Sequence, residues 1–284
     1  MRKKAHQKQI LKFKFYRMLS HGALIVTLAA LAAVIIFILI RGLPYVSMHL
    51  LFGEYESKDP TIGPAFVGSL YLVLISILIA APIGIGSAIY LTEYTKTKSH
   101  LIATIRIAVE TLAGIPSIVY GIFGYLVFVV MLGFRYSLIG GGITLAIMIL
   151  PVIVRTTEES LRAVPRALRE GSFALGSSKA RTIFVVVLPC AASGIATSLI
   201  LAIGRVLSES AVLILTIGMV ADRIPDGFAS PGTSLALDVY YFGSHGYPEQ
   251  AAATGVVLLI LVVSINTLAT ALSKVFGKGD LANG

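Results

Sequence analysis

The chain has 284 residues, of which 56% are hydrophobic and 13% charged, and a net charge of +9. A soluble domain carries roughly 25% charge, so these values exclude a water-soluble globular domain and point to a helical protein that crosses a membrane several times. The positive charge does not indicate nucleic acid, because the basic residues fall at the ends of apolar runs; the lone Cys190 excludes a disulfide framework, and His6, His21, His49, His100 and His245 share no metal-ligand spacing.

The first 21 residues, beginning MRKKAHQKQILKFKFYRM, are basic, and an apolar run follows at 22–41. That run exceeds the ~7–15-residue core of a signal peptide, and its AALAA lies inside it rather than after it, so an uncleaved first span is expected. Further spans are expected at 67–92, 113–132, 138–155, 191–218 and 251–273, each near the ~20 residues a bilayer requires. The longer connections are 42–66, 156–190 and 219–250, and none has room for a soluble domain. This gives a basic N-terminus (1–21), a first span with its external loop (22–66), a core (67–275) containing the 156–190 loop, and a tail (276–284).

Lys and Arg set the orientation. With the N-terminus inside, the inner side holds Arg2, Lys3, Lys4, Lys8, Lys12, Lys14 and Arg17, then Lys96, Lys98 and Arg106, then Arg155, Arg162, Arg166, Arg169, Lys179 and Arg181, and finally Lys274 and Lys278. The outer side keeps Arg41, Lys58, Arg135 and Arg223, beside the acids Glu54, Glu56, Asp59, Asp222, Asp226, Asp238 and Glu249. The asymmetry predicts both termini inside. Several spans carry breakers: Pro82, Gly84 and Gly86; Gly114, Pro116, Gly121 and Gly124; Gly140, Gly141 and Gly142. Each is open to close helix packing or to a lined cavity.

The inner loop 156–190 reads as two helices. Thr156 and Thr157 can cap the first, with Glu158 and Glu159 in its first turn. Pro165 breaks it, a second helix covers about 166–175, and Gly176 suits its C-terminal end. Gly171, Ser172 and Ala174 make that second helix slim enough to enter a groove on a partner; lying on the lipid surface is the alternative. In the fifth span, Arg205 and Glu209 stand at i and i+4 on an expected common helical face, with Ser208 beside them and Gly204 leaving room. A mid-membrane charge costs at least ~2.5–3.5 kcal/mol on insertion scales. The two therefore need water, a ligand, each other, or charges on a partner. Glu110, before the third span, is a weaker candidate for the same path and can instead pair with Arg106. No G-x-x-x-x-G-K-[ST] motif occurs, so no ATP site is expected.

The spacing Glu170-Gly171-Ser172, then Gly176, then Val186-Val187-Leu188-Pro189 resembles the Glu-Ala-Ala…Gly…Ile-x-Leu-Pro motif of permease subunits of binding-protein-dependent ABC importers, with both alanines and the isoleucine replaced by small or apolar residues. The stretches "ETLAGIPSIVYGIFG", "RTTEESLRAVPRALREGSFALG" and "LILAIGRVLSESAVLILTIG" are similar to the phosphate importer permeases of the Pst system, PstA-type, over about 61–275. The resemblance implies an all-α membrane protein of about six transmembrane helices, with the type I (MetI-like) importer fold. It implies a cytoplasmic coupling helix whose Arg169, Glu170, Gly171, Ser172, Ala174 and Gly176 serve ATPase coupling. It implies a transport subunit with no catalytic residue, no cofactor and no metal of its own, ATP being bound by the partner. The implied partners are a second, PstC-like permease, two cytoplasmic PstB-like ATPase subunits, an extracytoplasmic PstS-like phosphate-binding protein and membrane lipid, with no nucleic acid. The implied location is the bacterial cytoplasmic membrane. A permease for another oxyanion, an ATP-independent secondary transporter and a regulatory membrane subunit remain alternatives.

Overall fold

The computed structural model describes residues 2–56, 59–95 and 100–279, and within these the side chains of 2–12, Leu101, Ala269 and 272–279 lie outside the description. Lys58, Lys96 and Lys98 of the charge count and the last part of the tail, 280–284, therefore fall outside the described residues. Among the described residues the chain is helical, apart from turns and an isolated Glu56–Asp59 bridge. Apolar runs of this length become helices because a backbone group in lipid has no water to bond and must bond within its own segment.

The helices are α1 (Arg2–Gly42), α2 (Met48–Phe52), α3 (Gly63–Ile89), α4 (His100–Ala113), α5 (Ser117–Gly124), α6 (Leu138–Ala163), α7 (Arg166–Ala174), α8 (Lys179–Thr182), α9 (Leu188–Leu207), α10 (Ala211–Thr216), α11 (Leu235–Ser244) and α12 (Pro248–Gly279). Three π-helical stretches extend them: Tyr90–Tyr94 after α3, Tyr125–Met131 after α5 and Ile183–Val187 before α9. Five continuous helical segments are long and apolar enough to cross a bilayer: Phe13–Tyr45, Gly63–Tyr94, Leu138–Ala163, Lys179–Leu207 and Pro248–Leu268. A sixth candidate is the bent pair Ile102–Ala113 and Ser117–Met131.

Three expectations need correction. The third span is one arm of that bent pair, whose helices meet at 96°. Gly114-Ile115-Pro116 makes the bend, because proline has no N–H to donate and pushes the residue before it out of the helical region. Secondly, α6 does not stop near residue 155. It runs to Ala163, so Thr156 and Thr157 lie inside it and cap nothing. Thirdly, the fifth span begins at Lys179 and ends at Leu207; α10 is a separate short helix.

The core forms where α3, α6, α9 and α10 meet, around Leu72, Leu145, Ile149, Ile153, Ala202 and Leu213. Many of the breakers are contact points. A Cβ on Gly84 would sit 2.7 Å from Ile153 Cγ2, on Gly142 2.6 Å from Ile75 Cγ2, and on Gly124 2.3 Å from Thr144 Oγ1. These glycines let helices approach where lipid supplies no hydrophobic drive for association. α1 packs on α12, where a Cβ on Gly42 would meet Ala252 O at 2.3 Å. From Phe13 onward the rest of α1 is largely exposed, as expected of a lipid-facing helix.

The connection from α10 to α11 folds back over the start of α6. Ser137 caps that helix with its hydroxyl, while the Leu138 and Ile139 N–H groups donate to Ser230 O (3.0 Å) and Phe228 O (2.8 Å). The end of this connection presses on α3, since a Cβ on Gly68 would lie 2.0 Å from Thr233 O. Asp238, one of the acids assigned to the outer side, is 0% exposed in α11. The Thr233 hydroxyl donates to its Oδ1, and Oδ2 has no partner. Burial raises its pKa to about 7, although the Thr233 bond works against the shift.

Two measurements test this packing. Gly124→Val should lower the melting temperature of the purified permease by the equivalent of about 1–3 kcal/mol of overpacking. Gly171→Ala, which meets nothing within 4 Å, should leave it unchanged or raise it slightly. For Asp238, the unfolded carboxyl ionises first, so its contribution to stability falls as pH rises from near 4 to near 7 and then levels. Asp238→Asn should therefore match the wild type near pH 4 and melt higher at pH 8, by at most about 4 kcal/mol at ~1.4 kcal/mol per pKa unit.

Candidate functional site

Arg205 lies in the last turn of α9, which ends at Leu207 with Ser208 as its C-cap. The chain then turns through Ser208-Glu209-Ser210, and α10 starts at Ala211. Glu209 thus does not continue the helix that carries Arg205, and the common face expected from i,i+4 spacing is absent. Its carboxylate Oε1 instead accepts the Val212 N–H at 3.3 Å, satisfying a free donor at the start of α10. Arg205 and Ser208 are exposed, while Glu209 is half-buried. Among the described residues no ion pair joins Arg205 to Glu209. The hydroxyl of Tyr120 in α5 donates to Leu112 O of α4 at 2.8 Å. Gly204 faces α12 instead, with Asn266 Oδ1 3.7 Å from where its Cβ would be. A guanidinium with no ion pair among the described residues, at the end of a transmembrane helix, offers five donors fixed in a plane, a geometry that suits an oxyanion.

Glu110 is exposed on α4. It opens on a cleft of about 190 Å³ that Arg106, Arg155 and Glu158 also line. Arg106 does not pair with it. Arg106 Nη2 lies 2.8 Å from Glu158 Oε1, and Arg162 also pairs with that oxygen. One α6 carboxylate so holds two arginines, while Arg155 pairs with Glu159 at 3.2 Å on the exposed side.

The second candidate region is α7. Pro165 stands at its N-cap, which suits a residue with fixed φ and no N–H. Gly176 follows its C-cap Leu175 with φ +79°, a left-handed conformation that glycine adopts without strain. The segment has two faces. Glu170, Gly171, Ala174 and Gly176 are exposed, and Leu175 is 89% exposed. Ser172 turns inward and shares a hydrogen bond with Thr182 at 2.9 Å. Arg169 also turns inward: its side chain is 16% exposed and forms an ion pair with Glu93 at 2.7 Å. The six residues of the motif are therefore not one surface. Glu93, which closes this contact, was not singled out from the sequence, because it stands at the end of an apolar span with nothing in its spacing to tie it to residue 169. Among the described residues no group of three or more His, Cys, Asp or Glu is placed to hold a metal ion.

Comparison with known proteins fits this architecture. The model of the family "Binding-protein-dependent transport system inner membrane component" matches residues 80–279. The probable ABC transporter permease protein YqgI of Bacillus subtilis (strain 168) is 33% identical over 277 residues, covering 90% of this chain and 94% of that protein. The phosphate transport system permease protein PstA of Mycobacterium leprae (strain TN) is 36% identical over 212 residues, covering 73% and 68%. A chain in the crystal structure of a bacterial alginate ABC transporter, in complex with alginate pentasaccharide-bound periplasmic protein, superposes with a TM-score of 0.69 at 18% identity, covering 94% of this chain and 96% of that one. A chain of the inward-facing MetNI methionine ABC transporter gives 0.60 at 20% identity, covering 76% and 94%. A multi-pass helical bundle, an outlying helix with the importer motif and a family match over most of the chain lead to one statement: the chain belongs to the binding-protein-dependent transport system inner membrane components, the permease subunits of ABC importers.

Proposed function

We propose that the chain is the permease subunit of an ATP-driven importer of inorganic phosphate, forming half of its translocation pore. The observation that carries the substrate class is Arg205, an exposed guanidinium in the last turn of an apolar span, with no ion pair to a carboxylate among the described residues. A charge in that position is costly unless it faces water, a ligand or a partner chain. The similarity to PstA permeases supports phosphate as that anion. Glu209 adds a screen. Its Oε1 is engaged by α10, and the rest of the carboxylate can accept the proton that phosphate still carries at neutral pH. Fully ionised sulfate has no such proton and meets only repulsion.

The pore is completed by a second, PstC-like permease, and phosphate is delivered by a PstS-like extracytoplasmic binding protein. Two PstB-like ATPase subunits bind ATP on the cytoplasmic side and contact the exposed face of α7. Both termini lie in the cytoplasm, which puts Arg106, Arg155, Arg162, Arg166 and Lys179 on that side as the positive-inside rule requires. Nucleotide-driven movement of α7 shifts the bundle between outward-open and inward-open states around Arg205.

In a strain lacking its own permease gene, phosphate uptake by Arg205→Ala should fall at least tenfold, with Arg205→Lys intermediate because a point charge replaces the planar fork. Uptake within twofold of wild type in Arg205→Ala removes Arg205 from the path. Glu209→Gln should admit sulfate while still accepting the Val212 N–H; unchanged exclusion of sulfate rules out the screen. On the inner side, Leu175→Asp should reduce co-purification of the ATPase several-fold, while Gly171→Ala leaves it intact.

A further inference from the structure

The end of α3 is held from three sides. Its π-helical turn Tyr90–Tyr94 carries one extra residue per turn, a local distortion that recurs at functional positions. Arg106 of α4 donates to Leu91 O at 3.4 Å. Lys179 Nζ of α8 stands 4.9 Å from the centroid of the Tyr94 ring. Arg169 of α7 donates to Glu93 Oε1 through Nε (3.2 Å) and Nη2 (2.7 Å). The same guanidinium reaches the end of α6, with Nη1 on Val164 O at 2.7 Å and Nη2 on Leu161 O at 2.8 Å. Both carbonyls lie at the C-terminal end of α6, where Leu161 O also accepts the Val164 N–H at 3.4 Å, and a cation there complements the helix dipole.

The backbone of α7 packs chiefly on α8 and on Ile183–Val187, the segments that follow it in the chain. A cleft of about 610 Å³ separates α7 from the Tyr90–Tyr94 turn, and the Arg169–Glu93 pair bridges it. Both side chains are largely withdrawn from solvent, at 16% and 10% exposure, so the pair is weakly screened and directional.

We propose that Arg169 and Glu93 are the mechanical link that carries displacement of α7 into α3, and so act as positioning residues for transport rather than as contacts for the ATPase. The proposal rests on the reading of α7 as the helix the ATPase moves. Without the link, α7 shifts with the ATPase and pulls on α6 only through the Val164-Pro165 connection, while the end of α3 stays behind, and ATP is hydrolysed without import. Lysine replaces Arg169 only in part, because one ammonium keeps the charge opposite Glu93 but does not span a carboxylate and two carbonyls in a fixed plane.

The test uses the assembled importer in proteoliposomes, with inorganic phosphate as the transported probe, measuring uptake and ATP hydrolysis together. Arg169→Ala and Glu93→Ala should each lower phosphate imported per ATP hydrolysed at least tenfold, while the ATPase still co-purifies. The double variant should be no worse than either single one within twofold, because one link is lost in all three. Arg169→Lys should give an intermediate ratio, and it decides the question if the alanine variant does not assemble. A ratio within twofold of wild type in the single variants overturns the link. So do losses that multiply in the double variant, and so does loss of ATPase co-purification in Arg169→Ala, which would make Arg169 a docking contact. Wild-type uptake without ATP is a different result: it overturns the functional reading on which the link rests.

Discussion

The close approach of α3 to α6 is the constraint on which the remaining structure hangs. Gly84 and Gly142 set these helices so near that the first carbon of any side chain would strike Ile153 or Ile75. In water such an approach is a by-product of burying apolar surface. In lipid the surroundings are as apolar as the interior, and backbone proximity with its dispersion contacts becomes a main source of association. Gly124 extends the same logic from α5 to α6 through Thr144, and Gly121 places α5 against Ala211 and Val212 of α10. A packed frame of this kind moves as rigid pieces and does not bend continuously. That is what an alternating-access device requires.

The charges divide into two populations with different energetics. At the α7 end they are neutralised in groups: Glu158 between Arg106 and Arg162, and Glu93 against Arg169. Partly withdrawn pairs of this kind give modest net stability, because desolvation offsets attraction, but losing one partner strands the other. They are suited to fixing geometry. Arg205 is of the other kind. It is exposed on a single subunit, at a helix end, with the nearby carboxylate of Glu209 turned to the α10 backbone. An arginine held so is open to whatever lies against the outside of this subunit.

Much of this was legible in the sequence, because the governing rules are length and spacing. Apolar runs near the bilayer thickness located the membrane helices, Pro165 and Gly176 bounded α7, and the interval from Glu170 to Pro189 marked the importer motif. What remained hidden depended on tertiary partners. The bend at Gly114–Pro116 has a local cause, but its angle of 96° follows from what α4 and α5 pack against. The end of α9 at Leu207 has no Gly or Pro to announce it; Glu209 bonding to Val212 N–H makes the break. Nor does sequence spacing show that Arg169 turns inward, since its partner Glu93 is 76 residues away. A motif read as one docking surface is in fact a surface with an anchor behind it.

In the proposed function the chain is a passive half-pore whose direction is imposed by a nucleotide-consuming partner through α7. Uptake of labelled inorganic phosphate into proteoliposomes bearing both permeases and the ATPase, with the binding protein on the outside, examines this directly. Import should require ATP inside and the binding protein outside, stop with a non-hydrolysable nucleotide, and proceed against a phosphate gradient without competition from excess sulfate. Phosphate entry that follows its own gradient and ignores ATP would contradict the account.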